Sequence, residues 1–230
     1  CEKDSSQIPR AIGYSCCQIE KGIMSLIYRV AQVLSIIFHP LWMPLLIYAI
    51  VRWMDPYFIA PTHADSFVLA LLIINIIAPA LSILIMIKYG MVSGIELRER
   101  KERWGPYLLV IFYYCISYAL LRWQGPILPK EVFSFVFAVI VSLVLSLIIN
   151  SFWKISVHML GQGGVFGSLL ALKYVHMADV TMIALCTILM ASLTAYSRVK
   201  LDAHTHAQTY AGFALGTAIN WVIISNHWMI

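Results

Sequence analysis

Long apolar runs broken by short polar connectors make up most of the chain, and several reach the length, about 20 residues, that a helix needs to cross hydrocarbon. Ser66 to Ile87, Tyr107 to Trp123, Val132 to Trp153, Val157 to Val175, Val180 to Tyr196 and Thr205 to Ile224 predict such helices, with Pro79 kinking the first. Leu41 to Val51, interrupted by Pro44, is short for a crossing and reaches that length only with its neighbours. Residues 23–38 mix Arg29 and Gln32 with large apolar side chains, which predicts an amphipathic helix lying at the interface and ended by His39-Pro40. The expectation is all-α: a polytopic transmembrane bundle of six or seven spans plus an N-terminal interfacial helix. It forms one domain over residues 23–230 behind a polar segment at 1–22.

Composition agrees. Hydrophobic residues at 61% and charged residues at 12% exclude an ordinary soluble domain. The net charge of +5 sits in short loops between apolar runs, which points to anionic lipid head groups and not to nucleic acid. The polar residues 1–21 do not read as a cleavable signal peptide. Of the five cysteines, Cys115 and Cys186 fall inside apolar runs as small hydrophobes, and the set has neither metal-ligand spacing nor a disulfide framework. Cys1 is open to two readings, an acylated start or a trimmed one.

Against this background the polar groups at the mouths of two apolar runs stand out, since ionisable residues beside hydrocarbon are costly and tend to line a pathway or a reactive site. One stretch is Ser197-Arg198, five residues, then His204, followed by Gln208, Gly212 and Gly216 on one helical row. The other is Lys154, Ser156 and His158 ahead of Gly161, Gly163, Gly164 and Gly167. Both glycine rows predict close helix packing, and the two stretches read as partners. A third cationic segment, Lys88 to Pro106, carries Glu96, Arg98, Glu99, Arg100, Lys101, Glu102 and Arg103, with Arg100 and Arg103 one turn apart. Two predicted spans separate this loop from Lys154, and two more separate His158 from Arg198. All three groups therefore emerge on the same membrane face and can converge.

The SR, five residues, H pattern followed by AGFALG resembles the third signature of the type 2 phosphatidic acid phosphatase (PAP2) family, and KISVH is similar to its second, which usually reads PSGH. Ile155 and Val157 stand where the family has Pro and Gly. The family's first signature, Lys, six residues, Arg-Pro, has no match: Trp104 and Gly105 separate Arg103 from Pro106, so Arg100 and Arg103 are the stand-ins. The resemblance implies a PAP2-like bundle with His204 as the nucleophile that forms a phosphohistidine and His158 as the general acid. Arg198, Lys154, Ser156 and the loop arginines would hold the phosphate, with no metal and no other cofactor. Where the family has Asp four residues after the nucleophile, this chain has Gln208, which can accept a hydrogen bond from the ring but brings no charge; Asp202 is the nearby carboxylate.

The implied activity is hydrolysis of a lipid phosphate or pyrophosphate in a bacterial inner membrane, with the site facing the periplasm. Undecaprenyl pyrophosphate, phosphatidic acid, phosphatidylglycerol phosphate and lipid A phosphates are the candidate substrates. The distribution of Lys and Arg favours the opposite orientation by the positive-inside rule. A second reading keeps the fold without turnover, as a lipid-binding or membrane-complex subunit. His204, His206 and His158 also permit a metal corner, though HxH without carboxylate or cysteine company is a weak pattern. His39, His63, His176 and His227 read as interfacial or loop residues.

Overall fold

A computed structural model describes residues 10–94, 99–123 and 128–226, with the side chains of residues 10–21, Pro61 and Ala64 outside the description; the described residues contain helices and no strand. The helices are α1 (Arg10–Ile37), α2 (Met43–Met54), α3 (Pro61–Leu72), α4 (Ala78–Lys88), α5 (Trp104–Trp123), α6 (Lys130–Asn150), α7 (Val157–His176), α8 (Thr181–Lys200) and α9 (His206–Ser225). Among the described residues, five helical segments are long and apolar enough to cross a membrane: Gly22–Met54, Asp65–Lys88, Lys101–Trp123, Lys130–Asn150 and Thr181–Lys200. The chain has the character of an integral membrane protein.

The N-terminal part differs from the expectation. Helix begins at Arg10, inside the segment expected to be a separate polar stretch, and the short apolar run after His39-Pro40 is lengthened because α1 and α2 join through a 3-10 turn at Pro40–Trp42. His39 accepts the Leu41 N–H on its Nδ1 at 3.3 Å and so caps that turn. Helix α1 does not stand apart from the bundle: Ala31 is fully buried against Leu201 and Ala203, at the turn between α8 and α9, while Ile23, Leu26, Val33 and Ile36 remain exposed on its outer side.

Just before Pro79, where the sequence predicts a kink, the helix changes type. Proline has no N–H to donate, and its ring collides with the carbonyl four residues back, here Asn75. The chain absorbs this with a π-helical turn, Ile73–Ile77, between α3 and α4. The turn buries Asn75 completely, and its Nδ2 donates to Ser117 Oγ of α5 at 3.1 Å.

At the centre lie α7 and α9. Gly212 faces Ser156 and Met159, Gly216 faces Leu160 and Gly164, and Gly164 faces Asn220, so residue numbers rise together and the two helices run parallel. A Cβ added to Gly163 would land on the Phe213 carbonyl, one on Gly167 on the Thr217 carbonyl, and one on Gly216 on the Leu160 carbonyl; at Gly212 it would come within 2.6 Å of the Ser156 oxygen. Lipid tails are as apolar as leucine, so helices in a membrane gain from such close backbone approach and not from hydrophobic exclusion. Because α7 and α9 are parallel, both N-termini, one beginning just after Ser156 and the other just after Thr205, lie at the same end of the bundle.

The contact distances imply that Gly216→Val costs more than about 2 kcal/mol, since backbone atoms cannot yield as side chains do. Gly161→Ala should cost much less, because its new Cβ meets the flexible Met43 side chain at 3.0 Å. Thermal unfolding of the two variants in detergent measures this, and equal losses would contradict the backbone-to-backbone packing.

Candidate active site

The spacing between Arg198 and His204 follows from how α8 ends. Leu201 closes the helix and Asp202 takes a left-handed conformation with φ of 51°, a region that Asp tolerates better than most side chains. Asp202 N–H then donates to the Val199 carbonyl at 3.0 Å and Ala203 N–H to the Arg198 carbonyl at 3.1 Å, the paired bonds of a Schellman motif. His204 N–H donates to the same Arg198 carbonyl at 3.3 Å, so the residue that carries the guanidinium also fixes the backbone that carries the imidazole. Thr205 caps α9, and the capping box is completed by Gln208.

That capping box settles the His204 tautomer. Gln208 Oε1 accepts the Thr205 backbone N–H at 3.2 Å, which identifies it as the amide oxygen. The same oxygen lies 3.1 Å from His204 Nδ1, so Nδ1 carries the proton and donates, leaving the lone pair on Nε2. Gln208 thus orients the ring as a carboxylate would, without its charge. Asp202 is exposed and shapes the turn, while Gln208 takes the ring nitrogen.

Other elements bring their groups to the same end. Arg103, at the start of the α5 segment, is buried and its Nη1 donates to the Ile155 carbonyl at 3.3 Å, joining the cationic loop to the Lys154–His158 stretch as the count of spans required. Arg198 is 3% exposed, and its Nη1 donates to Ser35 Oγ of α1 at 2.6 Å. His158 Nε2 lies 3.2 Å from the Ser35 carbonyl and 3.4 Å from its hydroxyl. The His39 ring meets His158 edge-on, with centroids 5.1 Å apart.

A cavity of about 340 Å³ opens from this cluster. His39, Arg103, His158, Arg198 and His204 line it at one end; Ile83, Leu84, Val110, Phe135 and Val139 line its apolar length, and Ser142 and Asn220 close it deep in the bundle. From His206 to Asn220 the α9 axis covers about 21 Å at 1.5 Å per residue, a large part of the roughly 30 Å hydrocarbon core. The shape suits an amphiphile with an anionic head and an apolar body.

Several residues stand otherwise than expected. Arg100 is exposed and does not line the cavity; its backbone carbonyl accepts from Asn150 Nδ2 at 3.1 Å, and Arg103 is the loop cation that reaches the site. Ser156 is fully buried and does not line the cavity; its hydroxyl has no hydrogen-bond partner among the described residues, and its N–H donates to the Gln208 carbonyl at 3.4 Å. Lys154 is half-buried, outside the lining but close enough to act on His204. His39 is not a solitary interfacial residue: it belongs to the cluster, and with Ser35 it comes from a segment that carries no signature. The only hint of its role was its place before a proline at a helix break. His176 pairs with Glu131 at 3.1 Å, His63 lies in the first turn of α3, and His227 lies outside the described residues, as do Cys1, Glu96 and Arg98. His206 is exposed, and among the described residues no group of three His, Cys, Asp or Glu side chains could hold a metal ion.

No family model, no curated protein and no solved structure matches this chain.

Burial first, then the charges of Arg103 and Arg198, and less strongly Lys154, lower the His204 imidazole from 6.5 to about 3, against the opposing hydrogen bond from Gln208. The ring is neutral at neutral pH, as a nucleophile must be. Between pH 6.5 and 3 the unfolded chain takes up a proton that folded His204 refuses, so this residue makes stability fall as pH falls through that window. The melting temperature of His204→Gln should therefore decline less steeply than that of the wild type between those pH values; parallel curves would show that the ring is not held neutral by its surroundings.

Proposed function

We propose that this chain is an integral membrane lipid phosphatase with a PAP2-like bundle, in which α7 and α9 cross the membrane beside the five more apolar segments. It hydrolyses a lipid phosphate or pyrophosphate through a phosphohistidine. The observation that carries this reading is the meeting of Arg103, Arg198, His158 and His204 at the charged end of an apolar cavity, with the His204 lone pair on Nε2. The planar guanidinium forks donate paired hydrogen bonds to phosphate oxygens and offset the charge that shifts during transfer. His204 Nε2 attacks phosphorus, the bond from phosphorus to the lipid oxygen breaks, and His158, entering the step as the imidazolium beside the bound phosphate, delivers a proton to that oxygen and becomes neutral; the oxygen is a poor leaving group as an alkoxide. Water then attacks the phosphohistidine and gives its proton to His158, which releases inorganic phosphate and restores both imidazoles to their starting states. The resemblance carries with it a bacterial inner membrane and a site facing the periplasm.

A second reading, a lipid-binding or membrane-complex subunit with little turnover, draws on Gln208, whose neutral amide leaves the imidazolium formed in the reaction without a compensating charge. One assay separates the two. The purified chain in detergent, without added metal, should release phosphate from phosphatidic acid or another lipid phosphate, and His204→Ala should lower that rate on the order of a thousandfold or more. Gln208→Asp should raise turnover, tenfold for each roughly 1.4 kcal/mol by which the carboxylate stabilises the imidazolium. Binding of the lipid without release of phosphate, unchanged in His204→Ala, would support the subunit reading and overturn the enzyme.

A further inference from the structure

We propose that Ser35 is a positioning residue of this site, holding Arg198 and His158 in register for a single phosphate, so that α1 is part of the catalytic apparatus. The inference rests on the phosphatase reading for its consequence but on geometry for its substance. Ser35 is 7% exposed, near the end of α1, far in sequence from every signature-bearing stretch. It meets two side chains at once. A guanidinium only donates, so the 2.6 Å contact from Arg198 Nη1 makes the Ser35 hydroxyl oxygen an acceptor. A carbonyl only accepts, so the 3.2 Å contact between the Ser35 oxygen and His158 Nε2 places a proton on that nitrogen. One residue thereby supplies two neutral oxygens to two donors, its hydroxyl to Arg198 and its carbonyl to His158, and the carbonyl fixes the His158 tautomer as Gln208 fixes that of His204.

The setting of Ser35 is rigid enough for this. One helical turn earlier, Ala31 is fully buried against Leu201 and Ala203, which belong to the same turn that presents His204. One turn later, His39 is held by the Leu41 N–H and packs its ring edge-on against His158 at an interplanar angle of 83°, which keeps the imidazole from swinging away. Removing the hydroxyl takes one acceptor from the guanidinium and loosens its register with His158, while the cavity and the remaining cations are untouched.

The test uses the full chain in detergent micelles, with Ser35→Ala and Ser35→Thr. Against a lipid phosphate, Ser35→Ala should lower kcat about tenfold, equivalent to roughly 1.4 kcal/mol, with KM changed less than twofold, and Ser35→Thr should recover most of the loss. A loss confined to KM, no recovery with Thr, or a rise in kcat would overturn the proposal; the last would mean that Ser35 obstructs Arg198. Nitrogen-15 NMR of the labelled histidines and arginines supplies a readout that needs no turnover. His158 should be the Nε2–H tautomer in the wild type and also in Ser35→Ala, which keeps the backbone carbonyl, whereas the Arg198 guanidinium signals should shift in Ser35→Ala because their hydroxyl acceptor is gone. An Nδ1–H ring in the wild type, or Arg198 signals that do not shift in the variant, would overturn the proposal whether or not the chain is an enzyme. Absent turnover with the expected spectra would instead remove the phosphatase reading and leave the Ser35 contact standing.

Discussion

The backbones of α7 and α9 approach closely because Gly163, Gly167, Gly212 and Gly216 carry no Cβ where the opposing carbonyls of Phe213, Thr217, Ser156 and Leu160 lie, and the location of the charged cluster depends on this contact. Two parallel helices packed in this way must start at the same end. Their first turns carry His158 and, through the preceding cap, His204, so the two imidazoles are placed by backbone contact and not by any attraction between them. The polar residues of α7, such as Gln162 and Ser168, are buried among neighbouring helices, which is how a helix of modest hydropathy is accommodated at the centre of an apolar bundle.

Gathering guanidinium and imidazole groups in a low-dielectric interior is unfavourable unless neutral acceptors meet their donors. The acceptors come from unrelated parts of the chain: the Ile155 carbonyl for Arg103, the Ser35 hydroxyl for Arg198, the Ser35 carbonyl for His158 and the Gln208 amide for His204. None of the four carries a negative charge. In the proposed function the cluster receives an anion, and the apolar cavity leading away from it takes the hydrophobic remainder of the ligand.

What the sequence reveals and what it conceals follow from the range of the interactions. Local ones are legible. The apolar runs give the later helices to within a few residues, Pro79 marks the place where the helix is interrupted by a π-helical turn, the i, i+4 spacing gives the His204–Gln208 contact, and the five residues between Arg198 and His204 are those a Schellman turn needs before α9 begins. The glycine rows give the α7–α9 contact because close packing has a compositional mark. Contacts across 123 or 163 positions leave no such mark. Ser35 and His39 are ordinary residues in an amphipathic helix and at its end, and only tertiary packing brings them to His158. The choice of Arg103 over Arg100 is hidden for a related reason: a single turn decides which cation points inward, and the helical phase of a charged loop cannot be fixed without the neighbour it packs on. The extent of α1, from Arg10, was hidden because the polar residues of its first turns do not extend the apolar run by which a membrane helix is recognised.

The central claim is that His204 Nε2 is a nucleophile aimed at phosphorus, with the other groups arranged around that event. The most direct measurement is mass spectrometry of the protein quenched in alkali within milliseconds of mixing with a lipid phosphate, since a phosphoryl group on a histidine nitrogen survives base and is lost in acid. The account requires an acid-labile phosphoryl group on His204 that disappears as inorganic phosphate is released. Turnover with no phosphoryl group on the protein, or one on a side chain other than His204, would contradict it.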